Sequence, residues 1–257
     1  MVDAQVFRWA DGSVVAEEWC DTHAGRVRVA DSWLVVDGTA VTVERHINRF
    51  VSSVRPLMPD TNLSLFAHEV TALIPTTGRW FPRIEAIDYG DGALLRFHLR
   101  DAPEPLTEVI LATSTHDPRT TPLLKGPDLE RLGDLRREFN CGEAVILTDG
   151  IITEGAWSSI VWWRDDTLHV VSPDIARLPS VTERAIRDHA ATIGAPVIES
   201  TARPDELNGC EVWTLSALHG IRVATEWMDG PALRREPGRA EYWTQQYANK
   251  RAVISEP

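Results

Sequence analysis

Primary amines are scarce in this 257-residue sequence, because Lys125 and Lys250 are the only lysines among its 26 basic residues. A neutral amine can attack a carbonyl carbon and form a Schiff base, whereas the guanidinium of arginine cannot, because its pKa is too high. Lys125 follows two leucines and precedes Pro127, a pattern that predicts a strand end beside a helix start, where burial would lower the pKa of the amine. Lys250 lies in the C-terminal tail. Lys125 is therefore the candidate nucleophile, and an exposed loop lysine is the alternative interpretation.

Two further motifs have residue types that bind a heterocycle or a phosphate. Glu154 lies in IITEGAW, and a carboxylate beside a pyridine nitrogen keeps that nitrogen protonated, so that the ring can accept electrons. Val181 and Thr182 follow Ser180 in SVTE, a capping-box pattern that predicts a helix start. The N–H groups at such a start bind phosphate. Simpler interpretations are a turn at Glu154 and an ordinary helix cap.

A strand in ALLRFHLRD alternates between apolar and basic side chains. Arg96, His98 and Arg100 fall on one face of that strand, and the residues between them are apolar. Three cationic or titratable side chains on one face suit the binding of a carboxylate. The alternative is a strand face that points to solvent.

Composition excludes several classes of function. The net charge is −12 with no basic stripe, so we expect no binding to nucleic acid. No apolar run approaches the length that spans a membrane, and the N-terminal sequence lacks the basic start and apolar core of a signal peptide. Cys20, Cys141 and Cys210 have no metal-ligand spacing. We therefore expect no metal, no membrane partner and a reduced cytoplasmic compartment.

The pattern of strands and helices predicts an α+β protein. Hairpins are expected around Asp37-Gly38 and Asp149-Gly150, and helices over 43–54, about 62–74, from Pro127 to Phe139, from Val181 to about Ile193, and through EYWTQQYANKRA. A Pro-rich stretch and a loop place a domain boundary within 101–121.

Taken in order, four segments resemble the class IV aminotransferases, which are pyridoxal 5'-phosphate (PLP) enzymes of fold type IV. The segments cover about residues 121–230 and read KGPDL, GEAVILTDGIITEGAWSSIVWW, LPSVTERAI and EVWTLSALHGIRVATEWMDG. ADSWLVVDG and ERHINRF match the early hairpin and the H-x-x-R helix of that family more weakly. The resemblance implies a two-domain fold like that of D-amino acid aminotransferase. A small N-terminal α/β domain would span 1–110, and a larger β-rich PLP-binding domain with helices would span 111–257. It also implies a homodimer.

The resemblance assigns roles to individual residues. Lys125 would carry PLP through a Schiff base, and Glu154 would pair with the pyridine nitrogen. The strand with Arg96, His98 and Arg100 would line the substrate pocket. The remaining cofactor contacts, mostly to phosphate, would come from Arg49, Val181, Thr182, Ser216 and Ala217.

The implied reaction is transfer of an amino group between an amino acid and a 2-oxo acid. One alternative is pyruvate elimination of the 4-amino-4-deoxychorismate lyase type, and another is a non-catalytic relative, which the presence of Lys125, Glu154 and Arg49 disfavours. The sequence also departs from the family pattern: Ser159 stands where asparagine is usual, Asp128 stands near Lys125 in place of an asparagine, and the interval from Lys125 to Glu154, 29 residues, is short. The identity and stereochemistry of the amino acid stay open.

Overall fold

The computed structural model describes residues 5–17, 25–90 and 92–254, so that Cys20 and the first four residues lie outside the described part of the chain. The chain divides into two compact units. The first contains the described residues up to Glu104, together with Leu124–Pro127 and the described residues from Lys250 onwards. The second contains Pro105–Leu123 and Asp128–Asn249. Two short segments therefore return to the first unit, and the functional division at residue 110 stays a prediction.

Strands and helices are numbered in chain order. The strands are β1 (Gln5–Ala10), β2 (Ser13–Ala16), β3 (Arg26–Ser32), β4 (Val35–Val36), β5 (Thr39–Val41), β6 (Arg79–Trp80), β7 (Arg83–Asp88), β8 (Ala93–Leu99), β9 (Glu108–Thr113), β10 (Glu143–Thr148), β11 (Ile151–Gly155), β12 (Ser159–Arg164), β13 (Thr167–Val171), β14 (Val197–Ser200), β15 (Glu211–Ser216), β16 (Gly220–Met228) and β17 (Arg251–Val253). The helices are α1 (Val43–Val54), α2 (Leu63–Ala72), α3 (Leu129–Phe139), α4 (Val181–Ile193) and α5 (Arg239–Ala248), with a short 3-10 helix at Pro204–Leu207.

The first unit has an antiparallel sheet in the order β2-β1-β8-β7-β3 and a second sheet in the order β17-β5-β4-β6. Its core forms where α1 and α2 bury Phe50 and Phe66 together with Leu95 and Phe97 of β8. The apolar face of β8 is thus the inner face. Its basic face, with Arg96 and His98, lies on the opposite side of the sheet.

The second unit is built on one mixed sheet in the order β11-β10-β9-β16-β15-β12-β13-β14. Strand β9 pairs in parallel with both β10 and β16, and β13 pairs in parallel with β14. The other strand pairs of this sheet are antiparallel. Helix α3 packs on β10, and α4 packs on β14, β15 and α5.

The α+β fold class predicted from the sequence is confirmed, and the predicted hairpins and helices form. In the hairpin turns, Asp37-Gly38 and Asp149-Gly150 both have positive φ, as a two-residue hairpin turn requires. Two predicted helix ends were wrong. Helix α3 begins at Leu129 rather than at Pro127, and the C-terminal helix ends at Ala248, after which Arg251–Val253 pairs as β17 with β5. No helix of the described ranges combines the length and apolarity needed to cross a bilayer.

The start of α4 is held by a side-chain cap. Ser180 Oγ accepts a hydrogen bond from Glu183 N at 3.2 Å. The reciprocal half of the predicted capping box does not form, because the Glu183 carboxylate instead binds the Arg177 guanidinium at 2.7 and 2.8 Å.

We expect Ser180→Ala to lower the free energy of unfolding by about 1 kcal/mol, because the cap bond of α4 is lost. Urea denaturation followed by circular dichroism measures this. Thr192→Ala is the matched control, since the Thr192 hydroxyl donates to Asp188 O near the exposed end of the same helix. We expect that control to stay within about 0.5 kcal/mol of wild type. Equal losses in the two variants would contradict the capping role.

Candidate active site

Lys125 lies in a bend that is pinned to β3 in the first unit. The Lys125 carbonyl accepts a hydrogen bond from Ala30 N at 2.8 Å. Gly126 has φ +141°, and a Cβ there would lie 2.8 Å from Val29 Cα, so this close approach requires glycine. The predicted strand end at Lys125 was wrong, because the preceding strand, β9, ends at Thr113. The backbone of Lys125 is instead positioned by its contact with β3.

A buried carboxylate organises the side chains around Lys125. Asp31 on β3 is fully buried and accepts hydrogen bonds from His46 Nδ1 at 2.9 Å and from Arg49 Nε and Nη2 at 2.8 and 2.9 Å. Burial alone would raise the pKa of Asp31, but His46 and Arg49 outweigh it and hold that pKa well below its ordinary value. Burial lowers the pKa of His46, and the charge of Lys125 lowers it further, so Lys125 lies within electrostatic range of this cluster.

Glu154 is the centre of a buried cluster in the second unit. Its Oε1 accepts from Arg119 Nη1 at 2.5 Å, and its Oε2 accepts from Leu178 N at 3.3 Å. Burial raises the pKa of Glu154, and the charge of Arg119 opposes that rise. Arg119 was not identified from the sequence, where nothing distinguishes it from the other 23 arginines.

The first turn of α4 presents amide groups at a buried position. Val181 and Thr182 are both buried, and as the first two residues of the helix they have no carbonyl partner within it. Together with the positive end of the helix dipole, these N–H groups form an anion-binding arrangement.

Ser216, the last residue of β15, and Ala217, the first residue of the turn to β16, are both half-buried. Ser216 Oγ accepts from His219 N at 3.3 Å, and His219 Nδ1 accepts from Leu106 N at 3.2 Å. Burial, together with the charge of Arg222, lowers the pKa of His219 to about 4. His219 is therefore a neutral, fixed side chain of this turn.

The basic face of β8 surrounds a single carboxylate in the first unit. Glu85 Oε1 accepts from Arg96 Nη2 at 2.6 Å and from His98 Nε2 at 2.9 Å, and Arg83 binds Oε2 at 2.7 Å. Arg100 instead donates to Phe81 O at 3.1 Å and to Ser32 Oγ at 3.3 Å. Within the described residues, Arg100 has no carboxylate at salt-bridge distance. Arg96 is buried, so the interpretation of a solvent-facing strand does not hold for it.

The Asp128 carboxylate is held by hydrogen bonds to neighbouring residues. It accepts four hydrogen bonds, two from the backbone amides and two from the hydroxyls of Thr120 and Thr121. Asp128 therefore clamps the loop that carries Arg119, all of it within the second unit.

The sequence model of the amino-transferase class IV family matches residues 28–227. This chain belongs to the class IV aminotransferase family. The match includes Lys125, Glu154 and every other residue to which the resemblance assigned a role. Among curated proteins, none gives a significant match to this sequence.

Solved aminotransferase structures share the fold of this chain. A hypothetical aminotransferase from Mycobacterium tuberculosis in its PLP-bound form is similar at TM-score 0.79 and 20% identity, over 99% of this chain and 100% of that one. The branched-chain aminotransferase from Thermoproteus uzoniensis with norvaline gives 0.79 and 18%, over 98% and 100%. An aminotransferase from Brucella abortus bound to PLP gives 0.77 and 15%, over 96% and 99%. At these identities the likeness shows the fold alone.

Within each unit, the fold brings some predicted residues together. Lys125 and Arg49 share the electrostatic surroundings of Asp31 and His46 in the first unit. Glu154, Val181, Thr182, Ser216 and Ala217 belong to the second unit. Their roles toward a cofactor stay predictions. Asp31 was missed, although a charged residue inside the apolar run of RVRVADSW is a signal that could have identified it.

The Glu85 cluster predicts acid sensitivity. Burial alone would raise the pKa of Glu85, but the bond to His98 and the charges of Arg83 and Arg96 lower it from 4.5 to about 2. A carboxyl whose pKa falls on folding adds stability above its unfolded-state pKa and loses it as pH drops through the folded-state pKa. We expect the free energy of unfolding to fall between pH 4.5 and about 2 through this group.

Denaturation at a series of pH values tests this prediction. Glu85→Gln should be less stable than wild type at pH 7 and should lose less stability on acidification. The control is Glu130→Gln, at an exposed glutamate of α3, which should keep the wild-type slope. A Glu85→Gln slope equal to that of wild type would assign the acid response to other carboxyls.

Proposed function

We propose that this chain is a PLP-dependent transaminase in which Lys125 carries the cofactor through a Schiff base. The observation that carries the proposal is that Lys125 is the only lysine within the family match at residues 28–227. The reaction of a class IV aminotransferase on PLP needs a primary amine, and the matched region contains no other lysine side chain. The hydrogen bond from Ala30 N to the Lys125 carbonyl fixes the backbone from which that amine extends.

The residues proposed to hold the cofactor offer donor groups that fit PLP chemically. The aldehyde of PLP needs a primary amine, which Lys125 would provide. Its pyridine nitrogen needs a carboxylate, which the buried Glu154 would provide. A phosphate requires amides or a guanidinium. Val181 and Thr182 offer first-turn amides without a partner inside α4, and Arg49 offers a guanidinium that Asp31 orients through two bonds. Ser216 and Ala217 complete the proposed phosphate contacts.

When bound, PLP supplies an electron sink that stabilises negative charge at the substrate Cα. Lys125 Nζ would act as the general base that removes the Cα proton. Glu154 would hold a proton at the ring nitrogen.

The basic face of β8 would bind substrate carboxylate. One solved relative is described as bound to alpha-ketoglutarate and another as bound to norvaline, and both compounds carry a carboxylate. Of the three predicted residues, Arg96 and His98 hold Glu85, so we assign the main contact to Arg100. Burial and the neighbouring charge of Arg83 lower the pKa of Arg100 to about 10, as expected for a cation whose charge is only partly compensated.

Trapping of the cofactor tests the central proposal. We expect protein loaded with PLP to show the aldimine colour near 400 nm, and borohydride reduction to attach the cofactor to the peptide with Lys125. Peptide mass spectrometry measures the attachment, and Lys125→Ala should lose it. Labelling of Lys250, or no labelling after loading, would contradict the assignment.

The class of reaction is tested by adding amino acids to the loaded protein. A transaminase converts its cofactor to the pyridoxamine form in a half-reaction without an acceptor, and a panel of L- and D-amino acids identifies the donor. Release of pyruvate from aminodeoxychorismate without an acceptor would instead indicate a lyase.

Carboxylate binding is tested on the face of β8. We expect Arg100→Leu to raise the KM of amino acid and oxo acid alike by roughly ten- to a hundred-fold, since losing one charge-assisted hydrogen bond costs about 1.5–3 kcal/mol. Arg96→Leu should raise both KM values and also lower stability, because it removes a guanidinium from the buried Glu85. Arg8→Leu is the control, because Arg8 is exposed on β1 opposite Arg96. Wild-type KM values in Arg100→Leu would assign the carboxylate to other groups.

The homodimer and the cytoplasmic location remain predictions. Sedimentation velocity tests the first, and fractionation of the source cells tests the second.

A further inference from the structure

Arg119 and Asp117 extend the Glu154 cluster from a buried guanidinium to a carboxylate whose side chain is 31% exposed. The Arg119 side chain is 3% exposed, less than the 11% of the Glu154 side chain to which it donates. Arg119 also donates from Nε and Nη2 to the two oxygens of Asp117 at 2.9 and 2.7 Å, and from Nη1 to Ala176 O at 3.2 Å. One guanidinium therefore bridges two carboxylates.

The loop that carries Arg119 is fixed at both sides of the arginine. Arg119 N donates to Asp117 Oδ1 at 2.9 Å, and the next two residues are held by Asp128 through four hydrogen bonds. A bidentate contact with Asp117 fixes the plane of the guanidinium. The direction of Nη1 toward Glu154 is thus set by the bonds that hold the Arg119 guanidinium to Asp117 in the same loop.

The charges around Glu154 explain why such a fixed cation is needed. Burial favours the neutral, protonated carboxyl, and Arg119 is the principal group that favours the carboxylate. Arg177 contributes less, and its charge is matched by Glu183 in a bidentate pair. Asp128 is the other carboxylate near Asp117. With both carboxylates ionised, Asp117, Arg119 and Glu154 together carry one negative charge.

We propose that Arg119, oriented by Asp117, is a positioning residue that keeps Glu154 ionised and aimed, and that it thereby decides whether the ring nitrogen of the bound cofactor is protonated. This inference rests on the proposed function, because it requires Glu154 to face that nitrogen. Without the guanidinium, a proton shared by a buried carboxylate and a ring nitrogen moves to the carboxyl, since the neutral pair is favoured where charge is poorly solvated. The ring then accepts electrons less well.

The first test uses the protein without added cofactor and reports on the carboxyl directly. Protein with glutamate labelled with carbon-13 at the side-chain carboxyl is titrated by NMR, and the resonance that Glu154→Gln removes is assigned to Glu154. We expect Arg119→Gln to raise the pKa of that carboxyl and Arg119→Lys, which keeps the charge, to restore it in part. Arg184→Gln, at an exposed surface pair with Asp188, should leave it at the wild-type value. An unchanged titration in Arg119→Gln would overturn the inference.

The second test reports on the ring nitrogen in the loaded protein. Each variant is reconstituted with PLP labelled with nitrogen-15 in the ring, and the nitrogen-15 chemical shift distinguishes a protonated from a neutral ring. We expect Arg119→Gln to shift it toward neutral, in the direction of Glu154→Gln, and the double variant to shift no further than Glu154→Gln alone. A protonated ring in Arg119→Gln would overturn the inference.

Turnover separates positioning from general damage. We expect Arg119→Gln to lower kcat by about ten- to a hundred-fold, the range for losing one charge-assisted hydrogen bond, with little change in KM. Circular dichroism confirms folding, and Arg119→Lys remains informative where Arg119→Gln does not fold. A failure of borohydride labelling at Lys125 in wild type would reject the proposed function, and the carboxyl titration would still report on the coupling of Arg119 with Glu154.

Discussion

A carboxylate that is buried away from water must be met by cations or hydrogen-bond donors, and this constraint governs both units of the protein. In the first unit, Asp31 is met by Arg49 and His46, and Glu85 is met by Arg96. In the second, Glu154 is met by Arg119, and Glu143 by Arg222 at 2.6 Å. Breaking one such pair leaves a buried charge without compensation, which costs several kcal/mol. The ion pairs therefore specify where the surrounding strands and loops must lie.

The scarcity of lysine can be interpreted in the light of these buried ion pairs. The planar guanidinium of arginine binds a carboxylate through two parallel bonds and does not lose its charge on burial. The chain uses arginine for the buried pairs described above, whereas lysine, whose pKa responds to burial, occurs within the family match only at position 125. The two kinds of basic side chain thus have different roles, since arginine compensates buried charge and the lysine is the amine whose protonation state can change.

Local sequence patterns predicted the helices and hairpins well. They did not predict contacts between residues that are distant in sequence. Asp37-Gly38 and Asp149-Gly150 carry the turn conformation in their own residue types, so the hairpins followed from the sequence. The bond from Ser180 to Glu183 was equally local, but the Glu183 carboxylate pairs with Arg177, a contact that no capping pattern contains. The alternation in β8 identified its basic face, but it did not show that Glu85 of the neighbouring strand β7 lies beside that face and binds Arg96 and His98. Residue type and family resemblance identified Lys125 and Glu154. The contacts of Ala30 with Lys125 and of Arg119 with Glu154, across 95 and 35 positions of sequence, are tertiary and were not predicted.

Strand β17 gives the first unit an unusual dependence on the order of synthesis. Its residue Ala252 pairs with Ala40 of β5, so an edge of the four-stranded sheet is completed by residues about two hundred positions further along the chain. A ribosome releases the chain from its N-terminus onwards, and domains generally fold as units while synthesis proceeds. The whole second unit, Pro105–Leu123 and Asp128–Asn249, is therefore available to fold before the first unit can close its sheet. During translation, this edge of β5 stays unpaired until β17, a segment that follows the whole second unit in sequence, has been synthesised.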